Sequence, residues 1–425
     1  MITRLSQNLQ EKRGWRWLYY LVCFVLPLVG VALGMLLWWR KDRSTQALGR
    51  TGMGIAWLGV VLQSLALLTA NFIPLPGTIS SDVTSLLAST MRISTPLALG
   101  ALSGLFCEKA GVVNIAIEGM MLAAAFFGFI VGLYTQNLWI ALAAALFTGG
   151  LLGLFHAVLS VTFKVDQIIS GTVINILAIG ITGYLNRQLF MGTVPPASPG
   201  TFPILTNLPI MEMRLAELPF LGAVLAGFLD PIVMSQPLGT FVENIPLLGP
   251  AILEQQPLVL TTLILVLLTH IVILYTPWGL QTRAVGEHPR AADTVGINVF
   301  FVRYVNVIIG GLVAGLAGAY FTLESIPAFE PLLTNGRGFI SLAAMIFGKW
   351  TAFGSWGASL LFGFAEALQI FFQNKGITIF PKEWDVGSGY QFIGMLPYVL
   401  TMVVLAGVVG RAVPPAADGI PYEKS

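Results

Sequence analysis

The sequence predicts an all-α, polytopic bundle of transmembrane helices with about ten or eleven membrane segments, two of them broken or half-length. Of its 425 residues, 56% are hydrophobic and only 10% are charged, against about 25% charged in a typical soluble domain. Charge-free runs long enough to cross ~30 Å of hydrocarbon recur along the chain. Because lipid offers backbone groups no hydrogen bonds, runs of this length predict helices.

Residues 1–78 are predicted to form an extra membrane hairpin, with apolar runs at 17–39 and 52–72. The tail before the first run and the loop between the runs are both rich in Lys and Arg, and the positive-inside rule places both in the cytoplasm. One full crossing cannot leave both segments on the same side. Either the tail is exported against the rule, or the first run turns back at 27–30 as a re-entrant element.

Residues 79–411 are predicted to form the main transmembrane domain, followed by a cytoplasmic tail at 412–425. Within the domain, residues 191–256 carry one basic residue against five acidic ones, which favours an extracytoplasmic loop region. A run at about 338–349 is only half the length of a span. The uncharged stretch 119–163 is predicted to form two spans that are separated near 134–137. The other full spans are predicted at 83–105, 168–186, 258–278, 304–323, 352–373 and 391–410.

The polar stretch 279–303 is a charged island between two charge-free runs, and its arginines predict a cytoplasmic loop. Pro289 suits the first turn of a helix and Gly296 suits a left-handed stop, so a short helix is predicted between them. A solvated turn is the alternative, but it does not account for the paired Pro and Gly or for a face of small residues on which another protein could dock. The side chains predicted to share that face are Ala291, Ala292 and Val295.

Two stretches interrupt the apolar pattern, one in each half of the chain, at Glu108–Met121 and Glu330–Lys349. Unwound backbone inside a membrane bundle offers N–H and C=O groups to a solute, so paired interruptions indicate a substrate path. An ordinary loop followed by a short interfacial helix is the alternative. The sequence alone does not choose between the two.

Several isolated residues have a structural interpretation. His156 and His270 lie singly on apolar helices, which favours interhelical hydrogen bonding over metal binding. Glu366 has only uncharged neighbours, and such a residue usually faces the bundle interior or a water-filled path. If its segment starts near Gly354, the alternative is a position near the membrane interface. The glycine pairs that predict close helix packing are Gly149 with Gly153 and Gly311 with Gly315.

The sequence predicts no catalytic site, no metal site and no cofactor bound by this chain. It contains no HExxH, no CxxC and no GxxxxGK[ST], since Gly348-Lys349 is followed by Trp350. A net charge of +2 is too small to indicate nucleic acid. Cys23 and Cys107 match no metal-ligand spacing. Any ATP that drives this protein must therefore be hydrolysed by another chain.

Three motifs together carry a family resemblance: GLFCEKAGVVNIAIEGMML at 104–122, RAVGEHPRAADTVGINV at 283–299 and GRGFISLAAMIFGKW at 336–350. They resemble the permeases of binding-protein-dependent ABC importers, in the superfamily that serves branched-chain amino acids and sugars. The resemblance is strongest to its nucleoside branch, whose partners are basic-membrane-protein-like lipoproteins. The family usually lacks a piece like residues 1–78.

The resemblance implies a multi-pass permease in the bacterial plasma membrane that imports a nucleoside or related ribosyl compound by ATP-driven alternating access. It implies a second permease subunit (a paralogue or a copy of itself), two ATPase subunits and an extracytoplasmic solute-binding lipoprotein as partners. A permease for a simple sugar is the alternative. An ion-coupled secondary transporter is a further rival, but it would need intramembrane carboxylates, for which Glu366 is the only clear candidate.

The resemblance also assigns roles to residues of this chain. The segment implied to rest on the ATPase is Gly286, Glu287, His288, Pro289, Arg290, Ala291, Ala292, Asp293, Val295 and Gly296. The residues implied to flank the substrate path are Asn114, Glu118, Gly119, Gly338, Phe339 and Ser341. A consequence for the first set is that Ala292→Arg should permit assembly in the membrane yet abolish uptake.

Overall fold

A computed structural model of the protein describes residues 77–190, 197–204, 255–375, 395 and 412–424. The chain divides into two compact units, one formed by Met1–Thr84 with Asn244–Gly249 and the other by the remainder. Every site discussed below lies in the second unit. The predicted hairpin at 1–78, apart from its last two residues, the span at 391–410, apart from residue 395, and most of the loop region at 191–256 lie outside the described residues.

Ten α-helices occupy the described ranges, and two of them continue into a single π-helical turn. The helices are α1 Gly77–Lys109, α2 Ile117–Thr135, α3 Leu138–Ala157 with π turn Val158–Thr162, α4 Gln167–Phe190, α5 Pro257–Tyr275, α6 Pro277–Glu287, α7 Pro289–Thr294, α8 Val299–Tyr320 with π turn Phe321–Ser325, α9 Arg337–Phe347 and α10 Ala352–Lys375.

Six of these helices, counted over the described ranges alone, are long and apolar enough to cross a membrane: α2, α3, α4, α5, α8 and α10. They match the predicted spans to within about five residues, and α9 is as short as predicted. The longest helix, α1, contains Pro96 and covers the span predicted at 83–105. The structure therefore confirms an all-α, polytopic membrane bundle.

The break between α2 and α3 lies where the sequence predicts it. Gln136 adopts a left-handed conformation with φ of 51°. Asn137 then caps α3, because its side-chain oxygen accepts hydrogen bonds from the backbone N–H groups of Trp139 and Ile140. A left-handed residue followed by an Asn cap ends one helix and starts the next.

The predicted glycine packing is confirmed where α3 crosses α8. A Cβ atom added to Gly149 would lie 2.3 Å from the Gly311 carbonyl oxygen, and one added to Gly311 would lie 2.4 Å from the Gly149 carbonyl oxygen. Backbones this close exclude any side chain at either position. Small residues allow such contact between membrane helices, where dispersion forces replace the hydrophobic effect.

The prediction of a short loop at 279–303 is wrong in its extent. The stretch contains most of α6, all of α7 and the start of α8, which begins at Val299 rather than at 304. Asn298 fixes that start, since its side chain accepts from the Phe301 N–H. The hydropathy pattern placed Arg303 outside the span because of its charge, yet its side chain is only 1% exposed.

Candidate functional site

The first predicted interruption is confirmed between Lys109, where α1 ends, and Ile117, where α2 begins. Gly111 turns the chain with φ of 82°. Asn114 is fully buried, and its side-chain oxygen accepts from the Ala116 N–H at 3.1 Å. Its amide nitrogen contacts the sulfur of Cys107 at 3.4 Å. A buried amide therefore holds the unwound segment from inside.

Side chains from α3 and α4 satisfy the unwound backbone from outside. Gln167 accepts from the Val113 N–H at 2.7 Å, and Asn175 donates to the Ile115 carbonyl at 3.0 Å. His156 lies 3.0 Å from the Val113 carbonyl, which requires Nε2 to carry the proton because a carbonyl only accepts. The predicted interhelical role of His156 is confirmed, and these backbone groups are not free to bind a solute.

We expect Asn175→Ala to lower the free energy of unfolding by about 2–4 kcal/mol, because it removes the partners of two buried backbone groups. The side chain of Asn175 accepts from the Gly119 N–H at 2.7 Å and donates to Ile115. Thermal unfolding in detergent measures the change. Ile176→Ala, on the same helix but 65% exposed, is the control. Equal melting temperatures for the two variants would contradict the assignment.

The second interruption meets the first through one carboxylate. Glu118, near the start of α2, is 8% exposed. One of its oxygens accepts from the Thr334 hydroxyl at 2.6 Å and the Gly336 N–H at 2.8 Å, and the other accepts from the Gly338 N–H at 2.6 Å. The carboxylate thus caps the N-terminus of α9, where the positive end of the helix dipole favours a negative charge.

The close approach of α2 and α9 requires glycine at position 338. A Cβ atom there would lie 2.6 Å from both the Cα and the backbone nitrogen of Glu118. The starts of the two interrupted helices are therefore in direct contact, although they are far apart in the sequence. The paired interruptions predicted from the sequence form one structural centre.

Of the six residues predicted to flank the substrate path, five are buried in this centre and one is not. Phe339 is 48% exposed. The polar groups of the others are bonded to protein, as Ser341, for example, donates to the Arg337 carbonyl at 2.7 Å. The prediction that they flank a substrate path is not tested by these contacts. The buried five are Asn114, Glu118, Gly119, Gly338 and Ser341.

An ion pair beside this centre was missed by the sequence analysis. Arg337, the first residue of α9, donates to the Glu366 carboxylate on α10 at 2.5 Å. The two side chains keep 24% and 28% of their exposure, and the guanidinium lies 5.7 Å from the centre of the Phe321 ring. Glu366, isolated in the sequence, therefore has a cationic partner that its neighbours in the chain could not reveal.

The short helix predicted between Pro289 and Gly296 is confirmed as α7. Pro289 occupies its first turn, and Gly296 has φ of 87°, the left-handed conformation expected of a stop. Just before α7, a Cβ atom on Gly286 would lie 2.2 Å from the Lys109 carbonyl oxygen. The segment 286–296 therefore lies directly against the end of α1.

The predicted shared face of Ala291, Ala292 and Val295 is wrong. Ala292 is 3% exposed and packs with Val285 and other apolar residues, whereas Val295 is 73% exposed and Ala291 is exposed as well. Residues three or four apart lie on the same face only while the helix continues. Here α7 ends at Thr294, and Val295 has φ of −94° and ψ of 11°. Ala292→Arg would consequently disrupt packing as well as any docking.

The C-terminal tail, described from residue 412 to 424, folds against segment 286–296. The Ala417 N–H donates to the Gly286 carbonyl at 2.9 Å. Asp418 lies beside Glu108 and Arg303, and burial raises the pKa of its carboxyl. The tail has no apolar periodicity, so its packing here could not be predicted from its residues.

A bundle of membrane-crossing helices, with two interrupted helices joined at their starts and a short helix between two spans, defines a membrane transport permease. The comparison with protein families agrees. The profile described as branched-chain amino acid transport system / permease component matches residues 86–408. The chain belongs to this family, which confirms the resemblance seen in its motifs.

Curated relatives match most of the chain. The guanosine ABC transporter permease protein NupQ of Bacillus subtilis is 36% identical over 79% of this chain and 95% of its own length. The nucleoside ABC transporter permease protein NupC of Lactococcus lactis is 32% identical over 80% and 97%. TsgC13 of Haloferax volcanii is 30% identical over 78% of this chain and 93% of its own length. Its name assigns it provisionally as a glucose ABC transporter permease protein. No solved structure matches this chain.

Proposed function

We propose that this chain is the transmembrane permease subunit of an ABC importer that moves a nucleoside or related ribosyl compound into the cell. The observation that carries the proposal is the near full-length match to two permeases named for guanosine and nucleoside transport. The family match over residues 86–408 includes both interrupted helices and the short helix between spans.

The proposal includes partners that supply energy and solute. The sequence has no nucleotide-binding loop, so ATP hydrolysis is assigned to separate ATPase subunits. A second permease subunit completes the membrane pathway, and an extracytoplasmic solute-binding lipoprotein delivers the solute. We place the assembly in a bacterial plasma membrane, because the two named nucleoside relatives come from bacteria.

Segment 286–296 is proposed to rest on an ATPase subunit and to transmit its motion; we call it the coupling segment. Two features support this role. It contains the short helix α7, which begins at Pro289 and is followed by the left-handed Gly296, and it presents the exposed side chains of Arg290, Ala291 and Val295. It also contacts the end of α1 directly, which gives any displacement a route into the bundle.

An ion-coupled secondary transporter is less well supported. Such a protein needs a carboxylate whose charge is available to a coupling ion within the membrane. Glu366 is paired with Arg337, and Glu118 is bonded to three donors at the start of α9. Both carboxylates therefore have structural partners.

A simple sugar is the second candidate solute, because TsgC13 is also similar over most of the chain. Competition separates the two. Cells that express the chain with the genes for its partner subunits are expected to accumulate labelled guanosine. Unlabelled guanosine or adenosine in excess should suppress that uptake, and glucose at the same excess should not. Uptake of labelled glucose, with no uptake of guanosine, would contradict the nucleoside assignment.

A further inference from the structure

We infer that the C-terminal tail, residues 412–424, links the coupling segment mechanically to both interrupted helices. This inference rests on the proposed function, because it assumes that an ATPase moves the coupling segment. The tail is short and follows the last predicted span. In the structure it forms a bridge between elements that are distant in the chain.

The first end of the bridge holds the coupling segment by its backbone. The Ala417 N–H donates to the Gly286 carbonyl at 2.9 Å, and the Ala416 N–H donates to the Glu287 carboxylate at 3.2 Å. These bonds join the tail to the residues that immediately precede α7. The bond from Ala417 to Gly286 joins two main chains, so we expect the tail to move with the coupling segment when that segment is displaced.

Tyr422 strengthens the same contact through packing. It is 5% exposed and forms one apolar cluster with Ala292 of α7, Val285 of α6 and Val302 of α8. Its ring meets that of Phe300 edge to face, with centroids 5.4 Å apart. The inward side of α7 is thus covered partly by the tail, which explains why Ala292 is buried.

The other end of the bridge reaches the first interruption. A Cβ atom on Gly111 would lie 3.0 Å from the Ala417 carbonyl oxygen, so the tail backbone touches the turn after α1. The Ile420 carbonyl accepts from the guanidinium of Arg303 on α8 at 2.9 Å. That guanidinium fills the space beside Gly111 as well, since it lies 2.9 Å from the same added Cβ position.

The second interrupted helix is reached through one further residue. Asp418 lies against Glu108 at the end of α1. Glu108 in turn accepts from the indole N–H of Trp350 at 2.6 Å. Trp350 lies just beyond Phe347, where α9 ends, and its backbone N–H donates to the Met345 carbonyl of α9 at 3.2 Å. A movement of the tail therefore acts on the C-terminal end of α9, whose N-terminal end is held by Glu118.

Two tail variants test whether the tail transmits the motion of the ATPase into the helices or only helps to bind the ATPase. Tyr422→Ala removes the packed ring, and deletion of residues 412–425 removes the whole bridge. Tyr422→Phe keeps the packed ring and removes only the hydroxyl that bonds the Asp293 side chain, so it is the matched control for packing. Val413→Ser alters a tail residue that is 69% exposed. Each variant is purified with its ATPase partners and reconstituted into vesicles, where solute uptake and ATP hydrolysis are measured together.

The expected result is that Tyr422→Ala and the deletion keep the ATPase in the complex and keep its hydrolysis, while solute moved per ATP falls about tenfold or more. Both controls should transport like the unaltered protein. Uptake by Tyr422→Ala within twofold of the unaltered protein would overturn the inference. Loss of the ATPase from the complex would overturn it too, because the tail would then be a docking contact.

The unaltered protein separates this inference from the proposed function. If it purifies without any ATPase, or transports solute without one, the proposed function fails and the link fails with it. If the unaltered protein retains the ATPase and transports normally, then normal uptake by Tyr422→Ala overturns the mechanical role of the tail and leaves the proposed function standing.

Discussion

Glu118→Ala is expected to abolish uptake and to lower the free energy of unfolding by about 3–5 kcal/mol. The substitution leaves three donors without acceptors, namely the Thr334 hydroxyl and the N–H groups of Gly336 and Gly338. An orphaned buried donor costs about 1–3 kcal/mol. The start of α9 also loses the negative charge that its dipole favours. No other side-chain acceptor among the described residues bonds these three groups.

Thermal unfolding and uptake together measure this effect. Thr334→Val removes only one of the three hydrogen bonds and should cost about 1 kcal/mol. Glu118→Gln keeps one acceptor oxygen but places an NH₂ group against a donor, so its cost should fall between the other two. A Glu118→Ala protein that melts and transports like the unaltered one would show that the two interrupted helices do not depend on this carboxylate.

Val295→Arg is expected to reduce uptake at least about a hundredfold and to displace the ATPase, while the melting temperature stays nearly unchanged. Val295 is 73% exposed on the coupling segment, so a larger side chain meets no packing within the chain. Under the proposed function Val295 lies on the surface that docks the ATPase, where a buried cation without a partner costs about 3–5 kcal/mol. Exposed substitutions change stability by about 0.5 kcal/mol or less.

Val413→Arg is the matched control, because it makes the same chemical change at a tail residue that is 69% exposed. It should leave both uptake and the ATPase complex intact. Ala292→Arg should lower the melting temperature as well as uptake, since Ala292 is buried. Normal co-purification of the ATPase with Val295→Arg would remove the coupling segment from the docking surface.

The elements that the sequence predicted correctly depend on local physics. Charge-free runs located the spans, the polar stretch 134–137 located the break between two of them, and Pro289 and Gly296 marked helix ends by their own backbone preferences. The two interruptions were visible because polar residues broke an apolar pattern. Each of these signals is contained within a short window of the chain.

The features that were missed depend on contacts between distant residues. The bonds from Gly338 to Glu118 and from Arg337 to Glu366 join helices whose pairing no local pattern encodes. Arg303 was predicted to lie outside the helix because a charged side chain is costly in lipid. In the structure the Ile420 carbonyl of the tail accepts a hydrogen bond from it. Predicting the face of Ala292 would have required knowing that α7 stops one residue before Val295.

The central claim is that this chain moves solute only when a separate ATPase drives its coupling segment. The direct measurement is guanosine uptake into vesicles containing the purified permease subunits, with the solute-binding protein supplied, in the presence and absence of the ATPase subunits and ATP. We predict accumulation only when the ATPase subunits and ATP are both present. Accumulation without the ATPase, driven by an ion gradient, would contradict the account.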